Sequence, residues 1–471
     1  MHFDADFQAP GAKDEVASGP WHKELNGYHW FVLIVAALGW MFDTMDQQLF
    51  NLARKPAITE LLKASTGEAP SAGDVAKYGG YATMIFMIGW AIGGLFFGVL
   101  GDRIGRAKTM LLTILAYSAF TGLSALSVGV WDFAFYRFLT GLGVGGEFAV
   151  GVALVAEVIP ARARPFALGW VQAMSAVGNM TAAVIAMILG KMEETGAVGN
   201  AWRIMFLIGM APALLAVLIR RRLKEPEKWQ AAIKADEAAE SAGAEPKAGS
   251  IRELFGDPRW RKNAIIGMIL GFSGVVGLWG IGFFSFDLIR AVFQKDLTER
   301  GVDPALIPGQ LTWLVGLTSL LQNAGSFLGI YAFTRFTAVF GRRMAFAVSF
   351  LLAMLATAGT FWYINRVSDL FWMIPIMGFC QLTVFGGFAI YFPELFPTRL
   401  RSTGTSFCYN VGRLVAAVGP LFLGLLASDV YGHHGEIMAR RYAGVTMCVV
   451  FLIGLAVLPF APETKGKPLP E

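Results

Sequence analysis

The sequence predicts an all-α membrane protein with twelve transmembrane helices in two pseudo-symmetric six-helix bundles. Three observations predict it. Hydrophobic residues make up 55% of the 471 and charged residues 15%, with a mean hydropathy of +0.54, whereas soluble domains carry about 25% charged residues. A membrane-crossing helix needs ~20 mostly apolar residues, and such runs recur near 30–50, 79–100, 108–128, 132–156, 165–190, 202–220, 263–288, 310–334, 343–363, 370–392, 401–427 and 441–460. Helix is the expected state for all of them, because backbone polar groups in lipid have to be satisfied within the segment.

The third observation is an internal repeat. "EVIPARAR" (157–164) and "ELFPTRLR" (394–401) share E-x-x-P-x-R-x-R, 237 residues apart. "GRAK" at Gly105 and "GRRM" at Gly341 are 236 apart, as are Pro226-Glu227 and Pro462-Glu463. Matches at one offset of half the chain predict two parallel six-helix halves, an arrangement found in secondary transporters. The expected division is a tail over 1–29, a bundle over 30–220, a linker over 221–262, a bundle over 263–460 and a tail over 461–471.

The basic residues set the orientation. With both termini in the cytoplasm, 25 of the 39 Lys+Arg fall on that side and 12 on the other, leaving Arg137 and Arg413 inside spans. The positive-inside rule favours this assignment, and the expected location is a bacterial inner membrane. Much of the bias comes from "RRLKEPEKW" and "DPRWRKN", which flank a polar stretch, "KADEAAESAGAEPKAGS", that suits short amphipathic helices. The first 29 residues contain no apolar core, so no cleavable signal is expected.

Several classes are excluded by composition. No basic block interleaves with aromatics, so no nucleic-acid partner is expected. Cys380, Cys408 and Cys448 lie in apolar runs without CxxC spacing, which argues against disulfides and metal. No Ser-His-Asp, HExxH or P-loop spacing appears, so an enzyme is not expected. His433 and His434 fit a solvated outer loop.

An ionisable group inside a span is a functional candidate by default. Asp43 and Asp46 lie at i and i+3 on one face of the first span, ~20–24 Å from the cytoplasmic entry at 1.5 Å per residue. Two carboxylates that close in a poorly solvated setting cannot both stay ionised cheaply, so the pair suits a proton carrier. The same bookkeeping puts Arg137 ~8 Å below the outer surface and Glu147 ~23 Å in, with Arg413 ~18–20 Å deep in the eleventh span. Arg413 cannot neutralise itself and requires an anion: a substrate carboxylate, or another protein group such as Glu147 or one of the aspartates. Glu147 follows "GLGVGG", whose glycines allow close packing, and is a second titrating site or a packing-linked structural acid. Gln172, Asn179, Gln322, Asn323, Gln381 and Asn410 lie near mid-depth and suit either substrate hydrogen bonding or interhelical contacts. Trp40, Trp90, Trp170, Trp279 and Phe385 can pack a substrate ring or fill the core.

The motifs carry a resemblance. "GVLGDRIGRAK" resembles the loop signature between helices 2 and 3 of the major facilitator superfamily, although the corresponding "TRFTAVFGRR" has no match for Asp102. "YRFLTGLGVGGEF" with "AEVIPARAR" resembles the metabolite:proton symporters, including the sialate and aromatic-acid branches. "PELFPTRLRSTGTSFCYNVGRL" is similar to these and to animal organic-ion transporters, and "PETKG" to sugar porters. The resemblance implies the major facilitator fold and alternating access. It implies Asp46 and Arg137 as a proton-coupling pair, assisted by Asp43 and Glu147, with a static ion pair as the alternative. It implies a cytoplasmic gate of Asp102, Arg103, Arg106, Glu157 and Arg164, repeated by Glu394 and Arg401. Substrate contacts fall to Arg413, Asn410, Gln172, Asn179, Gln322, Asn323, Gln381 and Trp279. The expectation is a monomeric proton-coupled symporter of a small organic anion (a monocarboxylate, aromatic acid or sugar acid), with the proton as coupling ion and no other cofactor. Its rivals are a proton-coupled neutral-sugar porter, an organic-cation carrier and a sensor that binds without transporting.

Overall fold

In the computed structural model, the described residues are 20–241, 247–304, 306–416, 422–423 and 425–470, and all regular structure among them is helical. Part of the expected N-terminal tail (1–19) and of the linker (242–246) therefore lies outside the described residues. Eight helices among the described residues are long and apolar enough to cross a membrane. The first half comprises α1 (Gly27–Thr66), α2 (Ala72–Ile104), α3 (Arg106–Ser124), α4 (Val130–Val158), α5 (Arg164–Glu194) and a broken α6 (Ala201–Ile208 with Ala213–Arg222). Two short helices, Glu227–Ser241 and Ile251–Gly256, occupy the linker. The second half comprises α7 (Pro258–Val275, continued through a π segment to Gly282–Glu299), α8 (Ile307–Phe340), α9 (Arg342–Tyr363), α10 (Leu370–Glu394), α11 (Arg401–Ala416, with 417–421 outside the described residues) and a broken α12 (Glu436–Met447 with Val450–Val457).

The local sequence explains where these helices begin. Asn26 caps α1 by accepting from His29 N, Ser71 caps α2, and Asp257 followed by Pro258 starts α7. α1 runs 40 residues, well past the 21-residue run read from hydropathy. At ~1.5 Å per residue its length exceeds the thickness of a bilayer's hydrocarbon core. The turns between α2 and α3 and between α8 and α9 are one residue each, Gly105 and Gly341, at φ +115° and +88°. Only glycine adopts these angles readily, and its lack of Cβ also leaves room for a carboxylate: a methyl on Gly105 would lie 2.3 Å from Glu225 Oε1, and one on Gly341 2.7 Å from Glu463 Oε2.

Glycines also set the packing within the first half. A methyl on Gly141 or Gly145 would strike the α2 backbone at Phe86 O (2.3 Å) or Trp90 O (2.1 Å). On the next face of α4, Gly143 and Gly146 press on Tyr117 and Thr113 of α3. The run "GLGVGGE" thus lets one helix touch two neighbours at backbone distance, as small residues do in membranes. Across the seam between halves, Gly94, Gly98 and Gly101 of α2 receive Asn410, Ser406 and Ser402 of α11.

Candidate functional site

Three helices bring the buried charges together. Asp43 and Asp46 on α1, Arg137 and Glu147 on α4 and Arg413 on α11 are each at most 2% exposed. Arg137 Nη1 stands 3.5 Å from Asp46 Oδ2, long for an ion pair. Its other nitrogens are held more tightly: Nε and Nη2 donate to Ser124 Oγ at 3.0 and 2.7 Å, and Nη2 to Thr140 Oγ1 at 3.0 Å. The guanidinium also lies 4.6 Å from the Phe206 ring. Asp46 Oδ1 accepts from Thr121 Oγ1 at 2.8 Å.

Glu147 sits at the level of Gly39, about two turns of α1 before Asp46. Its Oε2 accepts from Thr113 Oγ1 at 2.6 Å, and its Oε1 fills the notch left by Gly39, where a methyl would lie 2.4 Å away. Asp43 lies between the levels of Glu147 and Asp46, beside Gln47, and neither carboxylate oxygen has a well-formed hydrogen bond. Arg413 lies within electrostatic range of Asp43. Its guanidinium rests 3.5 Å over the Trp90 ring and 4.5 Å from that of Tyr409, which stacks on Phe148 at 4.2 Å. Trp40 packs on the other side of Phe148, with centroids 4.9 Å apart.

The amides behave differently from one another. Asn179 donates to Asn323 across the two halves at 3.0 Å. Gln322 and Gln381 approach each other at 3.4 Å inside the second half, where Gln381 also donates to Thr357 at 2.8 Å. Gln172 turns to Ser175 on its own helix. Asn410 lies in the α2–α4–α11 seam, donating to Ser406 O at 3.1 Å and to Gly145 O at 3.5 Å. Trp170 is 41% exposed and meets Phe327 at the lateral edge between halves, away from the charges. Phe385 packs against Tyr409 and Phe388. The side chain of Trp279, in the π segment, lies outside the described residues.

Beside the α2–α3 turn, Asp102, Arg106, Glu157 and Arg401 form one connected network. Arg106 pairs with Asp102 at 2.9 Å and with Glu157 at 2.9 Å, and also donates to Thr398 O in the other half at 2.7 Å. Glu157 in turn pairs with Arg401 across the seam at 2.8 Å. Asp102 accepts from Ser402 N and from Thr403 N and Oγ1, so it caps α11 from the opposite half. Within the second half the pattern repeats as Arg342–Glu394 at 2.8 Å. Arg164 lies buried within electrostatic range of Glu394 and Glu157 without closing to 4 Å, and exposed Arg103 forms no ion pair among the described residues.

The repeat itself needs one correction. Pro226-Glu227 aligns in sequence with Pro462-Glu463, yet the carboxylate matching Glu463 is that of Glu225. Glu225 accepts from Ala107 N and Lys108 N at the start of α3, as Glu463 accepts from Arg342 N and Arg343 N at the start of α9. Equal chain offset therefore does not give equal position. Burial alone would raise the Glu463 carboxyl, but the backbone donors of Arg342, Lys465 and Arg343 hold it below the usual glutamate range. Thr113, Tyr117, Thr121 and Ser124 of α3 were not singled out by sequence reading either. Their signal was present as a row of hydroxyls at four- and three-residue spacing.

Known proteins share this architecture. The Major Facilitator Superfamily profile matches residues 36–309. The cis,cis-muconate transport protein of Acinetobacter baylyi is 29% identical over 73% of this chain and 76% of its own. The sialic acid transporter NanX of Escherichia coli is 26% identical over 93% of this chain and 94% of its own. Among solved structures, the proton:xylose symporter XylE superposes with a TM-score of 0.71 at 18% identity, over 94% of this chain and 98% of that one. The matched profile, the relatives and the two six-helix bundles lead to one conclusion: the chain belongs to the Major Facilitator Superfamily, as a multi-pass membrane transporter of organic substrates and not an enzyme.

Proposed function

We propose that this protein is a proton-coupled symporter of a small organic anion, a monocarboxylate, an aromatic acid or a sugar acid. The observation that carries the reading is the buried set Asp43, Asp46, Glu147, Arg137 and Arg413, which reaches from the interior of the first half to the seam between halves. Arg413 is the substrate anchor. A guanidinium held flat on an indole directs its N–H fork edgewise, the geometry for bidentate carboxylate recognition. Asp46 carries the coupling proton, its proton affinity governed by the distance to Arg137, while Asp43 and Glu147 assist. One proton compensates one carboxylate, so transport of a monocarboxylate is electroneutral. The substrates for which the two relatives are named, cis,cis-muconate and sialic acid, are both carboxylic acids, which supports the anion class.

The halves, 30–220 and 263–460, rock about this site. The Arg106–Glu157–Arg401 chain and the Asp102 cap close the cytoplasmic side until inward opening breaks them. Individual solvated ion pairs contribute little, but a buried network spanning two rigid bodies biases a two-state equilibrium. Asn179 and Asn323 bridge the halves at mid-depth and serve as substrate hydrogen-bonding groups together with Gln172, Gln322, Gln381, Asn410 and Trp279. The protein works as a monomer in a bacterial inner membrane with both termini cytoplasmic, and needs no cofactor besides the proton.

The test is uptake into proteoliposomes of a panel of carboxylates, neutral sugars and amines, with and without an imposed proton gradient. Gradient-driven carboxylate accumulation that collapses in Arg413→Ala is expected. Accumulation of a neutral sugar untouched by Arg413→Ala would replace the anion reading, and carboxylate uptake indifferent to the gradient would remove symport.

A further inference from the structure

A groove runs along the seam between α5 and α8, at the lateral edge of the molecule where lipids of a bilayer stand. Its floor is where the two halves touch: a methyl on Gly169 would lie 2.1 Å from Thr334 Oγ1, and Ala173 packs with Ile330. Its walls are aromatic. Phe166 and Trp170 stand one turn apart on α5, as Phe327 and Tyr331 do on α8. The rings of Trp170 and Phe327 meet across the seam with centroids 6.0 Å apart. Trp170 is 41% and Tyr331 46% exposed, so the walls open outward.

One end of the groove is cationic. Arg335, one turn past Tyr331, donates from Nε and Nη2 to Tyr331 Oη at 3.2 and 3.0 Å, and its guanidinium lies 5.4 Å from the Phe166 ring. Its partners are thus a neutral phenol and two rings, and it forms no ion pair among the described residues. Trp21 stacks parallel on the same Phe166 ring at 5.7 Å. The short turn that carries it, Trp21–Glu24, has one acidic residue, Glu24, which is already paired with Arg162; Lys23 beside it is exposed. Positive charge is therefore left over at this end. Arg335 lies six residues before Gly341, ~9 Å from the α8–α9 turn, and Phe327 is ~12 Å further in. That places a cation at headgroup depth and the rings at acyl-chain depth.

We infer that this groove binds one anionic phospholipid of the surrounding bilayer, with its phosphate on Arg335 and an acyl chain along Trp170 and Phe327. A guanidinium fork suits a phosphate, and basic pockets between transmembrane helices hold anionic headgroups. A soluble anion would make no use of the aromatic walls. Phe166 and Trp170 belong to the first half and Phe327, Tyr331 and Arg335 to the second, so the bound lipid touches both halves and braces their arrangement. The inference depends neither on the substrate nor on proton coupling.

The test titrates full-length protein in detergent with dioleoyl phosphatidylglycerol or dioleoyl phosphatidylcholine, which share their chains and differ in headgroup charge. Native mass spectrometry counts the first bound lipid, and thermal unfolding is followed in parallel. The wild type is expected to bind the first phosphatidylglycerol about five-fold more tightly than phosphatidylcholine, the scale of one interfacial arginine, and to unfold at a higher temperature with it. Arg335→Gln should abolish both the preference and the thermal shift, with Arg335→Leu as the second variant should the first unfold. Arg335→Lys should keep most of the preference, and Trp170→Ala should weaken both lipids alike. Lys295→Gln, in the far part of α7, controls for net charge and should match the wild type. A preference that survives loss of the Arg335 charge, or falls equally in Lys295→Gln, would overturn the site. Displacement of phosphatidylglycerol by inorganic phosphate would make it a soluble-anion site instead, and unchanged lipid binding in Trp170→Ala would remove the acyl chain from the groove.

Discussion

The two halves of this transporter share a scaffold and differ in their interiors. Beside the α2–α3 and α8–α9 turns the match is close: Arg106–Glu157 recurs as Arg342–Glu394, and the Glu225 cap on α3 recurs as the Glu463 cap on α9. In the middle of the membrane it disappears. At the 236-residue offset that relates Arg106 to Arg342, Tyr117 corresponds to Ala353, whereas Thr121 corresponds to Thr357. At the 237-residue offset of Glu157 and Glu394, Arg137 corresponds to Ile374 and Glu147 to Val384. The second half instead uses amides there, with Gln322, Gln381 and Thr357 in contact. Duplication therefore preserves the ion pairs at one end of each bundle, while the buried carboxyls Asp43, Asp46 and Glu147 belong to the first half. The other half supplies Arg413 and neutral hydrogen-bonding groups.

Substitutions that import second-half residues into the first test this division. The largest effect is expected for Arg137→Ile, which leaves Asp46 buried without its counter-charge. Removing one partner of a buried pair costs about 3–5 kcal/mol, to be read as thermal or denaturant unfolding in detergent. Adding Asp46→Asn should recover most of that loss, and failure to recover it would mean that the Ser124 and Thr140 contacts, not the ion pair, set the stability. Next in size, Asp46→Asn should lower gradient-driven carboxylate uptake by about 100-fold and Asp43→Asn by about 10-fold, with exchange of unlabelled for labelled carboxylate less affected in both. The reverse order would make Asp43 the principal proton site.

The gates provide a smaller contrast. Glu157→Gln breaks contacts to both Arg106 and Arg401, and so joins the halves less firmly. Labelling of a cysteine introduced on the cytoplasmic side should rise roughly ten-fold as the inward-open population grows, a shift of ~1.4 kcal/mol. Glu394→Gln, whose pair lies within one half, should leave labelling near the wild-type level; equal effects would mean that both pairs report local stability alone. The smallest effect is expected for Glu463→Gln. Its carboxyl is held below the ordinary glutamate range when folded, so its contribution is present above the unfolded-state value and fades as the pH falls through the folded one. A modest drop in melting temperature at neutral pH, vanishing in acid, is the expected signature; a drop that persists in acid would assign the effect to packing.

Much of this could be read in the chain itself. Twelve apolar runs and the paired E-x-x-P-x-R-x-R motifs determined the all-helical, two-bundle architecture, because lipid admits few alternatives for an apolar backbone and a repeat marks its own symmetry. The approximate depth of each intramembrane charge followed from 1.5 Å per residue, whereas the pairing of Asp46 with Arg137, which stand 3.5 Å apart, came from the motif resemblance. Rotation about the helix axes and the local path of loops were not legible. Only the folded packing decided that Glu225 and not Glu227 caps α3, that Asn410 lies in the α2–α11 seam, that exposed Arg103 stays out of the gate, and that Trp170 faces the lateral edge. It also decided that Thr113 meets Glu147 and Thr121 meets Asp46, since that depends on how far Gly143 and Gly146 let α3 approach α4. Hydropathy fixes a segment's depth through a transfer free energy summed over ~20 residues. Which side chains meet is decided by contacts of an ångström or less between helices, and no sum along one helix contains that information.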